Sequence, residues 1–114
     1  MSTAFRTVGN TVFLSANATS SNQTISVANG PLYFKVDNVN NATVDAFVNF
    51  GTANTTTATI ANASTSSQSV IVQHGGTIYV QYGTPYSAAT TLYVAGITAS
   101  GTANLYITPV ALVE

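Results

Sequence analysis

Apolar residues alternate with polar ones in short runs along the chain, and clusters of Gly, Asn, Ser and Pro separate these runs. Alternation with a period of two is typical of half-buried β-strands, and no long run keeps the spacing of an amphipathic helix. The pattern therefore predicts an all-β chain. The predicted strands span residues 5–8, 11–16, 23–27, 32–38, 44–50, 57–61, 69–73, 77–82, 91–97 and 103–109. The prediction at 57–61 is based on its Thr content, within the low-complexity segment 51–69.

The alternation also predicts which side chains enter the core. In the run LYFKVDN, which begins at Leu32, the residues Leu, Phe and Val share one face, while Lys35 and Asp37 share the other. Direct pairing of this strand with the next one would set Asp37 opposite Asp45, and like charges directly opposite destabilise a sheet. Either Lys35 or a bound cation offsets these charges, or the second strand crosses to another sheet, as Greek-key topologies allow, and we expect the crossing.

The last two strands are predicted to form a hairpin around the four-residue loop 99–102. In this register Tyr93 and Tyr106 point outward. Four apolar side chains point inward: Leu92, Val94, Leu105 and Ile107.

Two antiparallel sheets with apolar inner faces make a β-sandwich or a jelly roll. A closed barrel is the alternative. The length permits a single domain over residues 1–114, with an N-terminal arm at 1–4 and a C-terminal tail at 110–114.

Charged residues are scarce. The chain has two basic and three acidic residues, 4% of its length, whereas ordinary domains carry roughly 25%. Two cations cannot neutralise a series of phosphates, which argues against binding to nucleic acid or to anionic membranes. The first residues lack the pattern of a signal peptide, and no run of about 18 apolar residues could span a bilayer. We therefore expect a protein made in the cytoplasm.

The scarcity of charge also favours self-association. Edge strands usually carry Lys or other charges that prevent edge-to-edge pairing, and this chain almost lacks them. Aromatic side chains are enriched in protein interfaces, so the outward rings are candidate interface residues. They are Tyr33, Phe47, Tyr79, Tyr93 and Tyr106. The alternative interpretation is that Tyr and Thr are present because they favour strands.

Few residues offer catalytic or metal-binding chemistry. His74 is the single histidine and lies in the sequence QHGG, which predicts a turn residue able to adopt positive φ. Asp37 and Asp45 suggest a paired-carboxylate site or, with Asn38 and Asn40, a calcium site. Turn propensity alone also explains Asp and Asn beside a loop. We expect no enzymatic activity, no catalytic residue, no metal and no other cofactor.

The order of four runs resembles that of small β-sandwich proteins that decorate or cement the capsids of tailed bacteriophages. The runs are LYFKVDN, VDAFVNFGT, SQSVIVQHGGTIYVQYG and TLYVAGITASGTANLYITPV. The resemblance covers about residues 23–110 and includes Gly-Thr corners at Gly51 and Gly101 and a Gly-Gly turn at Gly75.

This resemblance implies a non-enzymatic structural protein, made in the host cytoplasm and located on the exterior of a virion. Its expected partners are the major capsid protein and further copies of itself, most simply in a trimer. The chain has too few charges to be guided to a capsid by electrostatic attraction. Apolar and backbone contacts would therefore bind it to the capsid. The alternative is a glycan- or receptor-binding module of a phage fibre or an adhesin.

Overall fold

The computed structural model describes residues 4–7, 9–26, 32–39, 43–64, 66–82 and 91–113. Within these ranges the regular structure consists of antiparallel β-strands. The strands are β1 (Ala4–Thr7), β2 (Val12–Ala16), β3 (Ser21–Ser26), β4 (Leu32–Asn38), β5 (Ala46–Gly51), β6 (Val70–Val72), β7 (Thr77–Tyr82), β8 (Thr91–Thr98) and β9 (Ala103–Val113). The all-β prediction is confirmed, and the predicted bounds of β4 and β7 match those of the structure.

The strands form two sheets. Sheet A has the order β1-β9-β4-β7, and β2 pairs with β9 on the same edge as β1. Sheet B has the order β3-β8-β5-β6. Along β9, β2 pairs with residues 103–107 and β1 pairs with residues 110–113. Residues 110–113, predicted as a tail, are therefore part of sheet A, and Ala4 of the predicted arm begins β1; residues 1–3 and 114 lie outside the described residues.

The strand order defines a jelly roll. Four nested antiparallel pairs run from the ends of the chain to its middle: β2 with β9, β3 with β8, β4 with β7, and β5 with β6. Pairing of β4 with β9 joins two of these pairs into sheet A, and pairing of β5 with β8 joins the other two into sheet B. A long hairpin rolled up in this way makes a two-sheet jelly roll, as the sequence predicted. In the described part of the chain no ladder joins the two sheets, so the barrel alternative is not observed.

Two predictions about connections have different outcomes. The chain crosses from sheet A to sheet B between β4 and β5, as expected. The predicted hairpin of the last two strands is wrong, because β8 lies in sheet B and β9 lies in sheet A. The loop 99–102 spans the gap between the sheets, and side-chain alternation cannot distinguish such a crossing from a hairpin. The four side chains predicted to point inward, Leu92, Val94, Leu105 and Ile107, are nevertheless buried.

The core lies between the inner faces of the two sheets. Phe34 of β4 and Phe50 of β5 stack across it with ring centroids 4.7 Å apart. Gly96 of β8 also faces this layer, because a Cβ atom there would lie 2.9 Å from Leu14 Cδ2 and 3.3 Å from Leu105 Cδ1. A glycine at this position therefore allows sheet A to approach sheet B closely.

A segment that we call the covering segment, residues 52–60, lies over the outer face of sheet B. Asn22 of β3 donates hydrogen bonds to the carbonyl oxygens of Asn54 (3.0 Å) and Thr56 (3.1 Å). Asn49 of β5 donates to the carbonyl oxygen of Thr57 at 3.0 Å. The strand predicted at 57–61 is therefore wrong: the side-chain amide of Asn49 and serine hydroxyls, and not a neighbouring strand, bind this part of the backbone.

The burial of two alanines confirms that the segment covers the sheet. Ala95 of β8 pairs with Asn22 and Asn49, so it points away from the core, yet it is fully buried. Ala58 in the covering segment is 1% exposed, and its N–H donates to Ser20 Oγ at 2.9 Å. Sheet B is thus shielded on part of its outer face, whereas no described segment covers the outer face of sheet A.

Candidate functional site

The outer face of sheet A carries five aromatic rings, and we call this surface the aromatic face. Its members are Phe5, Phe13, Tyr33, Tyr79 and Tyr106. Three of them are large exposed rings: Phe13 is 45% exposed, Tyr79 47% and Tyr106 39%. Such a concentration of exposed aromatic surface is typical of an interaction site.

The rings lie across the sheet and contact one another. Phe5 on the edge strand β1 stacks on Tyr79 of the opposite edge strand β7, with centroids 4.4 Å apart and ring planes 14° apart. Phe5 also meets Tyr33 edge-on at 5.4 Å. Phe13 and Tyr106 form a second pair at 5.3 Å. These contacts restrict the rings, so less side-chain entropy is lost when a partner covers them.

One ion pair lies among these rings. Lys35 Nζ is 3.7 Å from Asp37 Oδ2, and the Thr77 hydroxyl donates to Asp37 Oδ1. Lys35 is paired across the strands with Tyr79, and Asp37 is paired with Tyr106. The two charges compensate each other within the surface, so the aromatic face carries little net charge.

The five predicted interface residues do not share one surface. Tyr33, Tyr79 and Tyr106 belong to the aromatic face, whereas Phe47 of β5 and Tyr93 of β8 lie on the outer side of sheet B. Phe5 and Phe13 were not among the interface residues predicted from the sequence. The alternation in β2 could have revealed Phe13, because it places this ring on the face of the strand that Val12 and Leu14 do not use.

A second group of polar residues joins the loops at one end of the sandwich. Asn38, the last residue of β4, is fully buried. Its side-chain amide donates to the carbonyl oxygens of Val44 (3.0 Å) and Val72 (3.1 Å). Its backbone N–H donates to Gly76 O, and its carbonyl oxygen accepts from Gly75 N–H. Asn38 is therefore a structural residue that connects two loops with the end of β4.

Asp45 and His74 form the second contact at this end. Asp45 Oδ1 accepts a 3.0 Å hydrogen bond from the His74 N–H and lies 2.9 Å from His74 Nδ1. The backbone hydrogen bond, followed by the ring hydrogen bond, lowers the pKa of Asp45 below its usual value of 3.8. The left-handed backbone of this turn falls on Gly75, at φ +70°, and no described residue other than glycine has positive φ. The predicted turn at His74 is confirmed, but the positive φ predicted for it lies at Gly75 instead.

This arrangement does not assemble the metal or carboxylate sites that the sequence suggested. Asp37 lies on sheet A with Thr77 and Lys35 as partners, while Asp45 precedes β5 of sheet B and binds His74. Among the described residues, no group of three or more His, Cys, Asp or Glu side chains could hold a metal ion. Asn40 lies outside the described residues. Among the described residues, the hydrogen bonds of His74 go to Asp45.

A cleft of about 370 Å³ opens beside Asp45. It is lined by the loop before β5, by β5 itself and by the loop between β8 and β9. The lining residues are Thr43, Val44, Asp45, Phe47, Ala99 and Ser100. A carboxylate, an aromatic ring and hydroxyl groups thus meet in one concavity, a combination that suits a polar or cationic group.

Comparisons with known proteins add no family to these observations. No protein-family model matches the chain, and no curated protein matches it. The described residues contain no helix of the length and apolar character needed to cross a membrane.

Proposed function

We propose that the chain is a non-enzymatic structural protein of a bacteriophage virion, which decorates the capsid by docking on coat subunits. The observation that carries this proposal is the aromatic face: five rings, nearly free of net charge, on the open side of a jelly roll. The resemblance of the sequence to capsid decoration proteins supplies the partner, the major capsid protein.

The chemistry of the aromatic face suits a protein partner. Interface cores are enriched in Tyr and Phe and depleted in charge, and ring-bearing residues contribute most of the binding energy there. Lys35 and Asp37 already compensate each other, so burial of this surface leaves no unpaired charge from them.

The lack of charge elsewhere supports an assembled state. The edge strands β3, β6 and β7 contain no Lys, Arg, Asp or Glu, so nothing electrostatic prevents strands of neighbouring molecules from approaching them. Many copies on a symmetric lattice also gain avidity, so each contact with the shell can be weak. We propose a homo-oligomer, most simply a trimer, as the unit that docks.

The experiment is a binding assay with shells of the coat protein from the phage that encodes the chain. The parent protein should cosediment with the shells. Tyr79→Ala and Tyr106→Ala should reduce binding while retaining a cooperative melt, and Tyr93→Ala, on sheet B, is the matched control. Failure of the parent to bind, or equal loss in the Tyr93 variant, would contradict the proposed surface.

A glycan-binding module is the second candidate, favoured by the 47% exposure of the Tyr79 ring between polar neighbours on the sheet. An exposed ring beside hydroxyl and amide groups can stack on a sugar. A glycan array probed with the parent and with Tyr79→Ala separates the two functions. Saccharide binding that depends on Tyr79 would favour this candidate, and an array without signal would reject it.

A further inference from the structure

The cleft beside Asp45 has the chemistry of a site for a guanidinium group. The Asp45 carboxylate lines the cleft, and both hydrogen bonds that it accepts from His74 go to Oδ1. No hydrogen bond to Oδ2 is present among the described residues. Phe47, on the same wall, supplies an aromatic ring on which a flat cation can stack. Arginine matches both groups, since it binds carboxylates and stacks on rings.

The chain itself contains a suitable arginine. The chain has one arginine, Arg6, and one lysine, Lys35. Arg6 of β1 is exposed and makes no ion pair with a described residue, whereas Lys35 is paired with Asp37. Among the described residues, Arg6 is therefore the Lys or Arg side chain that is left for an intermolecular contact.

Arg6 cannot reach the cleft of its own molecule. It pairs with Ala111 near the end of β9, while Ala99 and Ser100 of the cleft precede the start of β9 at Ala103. Eight residues of strand, at about 3.4 Å each, place the two ends roughly 27 Å apart. An arginine side chain is far shorter than this distance. The complementary groups thus lie at opposite ends of β9.

We propose that the cleft formed by Asp45 and Phe47 binds Arg6 of a second copy of this chain. The two surfaces differ, so the contact is head-to-tail, and repeated head-to-tail contacts either close into a ring or continue as a filament. This inference rests on the self-association in the proposed function and names the residues that carry it.

A charge exchange tests the contact by sedimentation of the parent and its variants. Arg6→Glu and Asp45→Arg should each raise the dissociation constant of the oligomer about tenfold or more, because each places like charges opposite one another. The double variant should restore association, since it reverses the pair. Thr52→Arg is the control, because it adds a cation at an exposed position outside both the cleft and the aromatic face, and it should leave the dissociation constant unchanged.

A milder cycle guards against misfolding of Asp45→Arg. Arg6→Gln and Asp45→Asn preserve shape, and their double variant should associate no more weakly than either single variant if the two residues touch. Additive losses, or single variants that associate like the parent, would overturn the contact while leaving self-association standing. A parent that stays monomeric throughout would instead reject the oligomer of the proposed function and the contact with it.

Discussion

The side-chain amide of Asn38 in sheet A donates a 3.1 Å hydrogen bond to the carbonyl oxygen of Val72 in sheet B. The same amide donates to Val44 O, in the segment that leads to β5. One fully buried side chain therefore ties the two sheets together at the end that carries the cleft. Its role is structural, and it does not require the calcium ion that the neighbouring aspartates suggested.

Replacement of Asn38 by Ala should reduce the free energy of unfolding by roughly 2–4 kcal/mol, because two carbonyl oxygens lose a buried donor. Chemical denaturation measures the loss. Asn104→Ala is the control, since Asn104 is half-buried and its side chain makes no hydrogen bond in the described structure. Equal stability of the Asn38 variant and the parent would show that water replaces the amide without cost.

Phe34→Ala should destabilise the domain by about 3–5 kcal/mol, because it removes a fully buried ring that stacks on Phe50. Tyr106→Ala should cost less, since the Tyr106 ring is 39% exposed and contacts Phe13 on the surface. Thermal melts of both variants give the comparison. Similar losses would mean that the aromatic face contributes to folding as much as the core does.

The sequence predicted the layers of the fold better than it predicted their connections. The alternation of side chains determined the bounds of β4 and β7 and the inward residues of β8 and β9, because period two is a local signal. The partner of each strand is not local: the loop 99–102 fits a hairpin as well as a crossing. The segment 57–61 has strand-like composition, but its backbone binds Asn49 and other distant polar side chains.

The candidate site was predicted only in part for the same reason. Tyr33, Tyr79 and Tyr106 share a face because β4, β7 and β9 are neighbours, and this order cannot be deduced from side-chain period. Asp45 and His74 are 29 residues apart, and no local pattern links them. Their contact depends on the jelly-roll connection that brings the two loops to one end.

The covering segment should loosen when its side-chain donors are removed. The double variant Asn22→Ala/Asn49→Ala loses the hydrogen bonds that these side chains donate to the covering segment. The free energy of local opening of the segment should fall by about 1 kcal/mol, which raises the hydrogen-exchange rate roughly fivefold. Hydrogen exchange at the amides of Thr56 and Ala58 measures this change. Gln23→Ala is the control, because Gln23 is an exposed residue next to Asn22 in β3. Unchanged exchange at both amides would contradict the role of the two asparagines.

The Asp45 carboxylate should make stability depend on acid pH. Its pKa is lower in the folded chain than its usual value of 3.8, so the stabilisation is present above that pH and disappears as the pH falls through the lower, folded value. The melting temperature of Asp45→Asn should therefore lie below that of the parent near neutral pH, and the gap should close below about pH 3.8. A gap that stays constant down to strongly acidic pH would show that the charge of Asp45 is not the cause.

The position of β9 has a consequence for biosynthesis. Among the described strands, β1 and β2 pair with β9 alone, and β9 also borders β4, so sheet A lacks its central strand until residues 103–113 leave the ribosome. Until then β1, β2 and β4 lack the hydrogen bonds that they form with β9. The long sequence separation between these strands and β9 also makes folding slow. A chain that terminates before β9 cannot build the surface that carries the aromatic rings. Residues 103–113 must therefore be synthesised before sheet A can form its aromatic face.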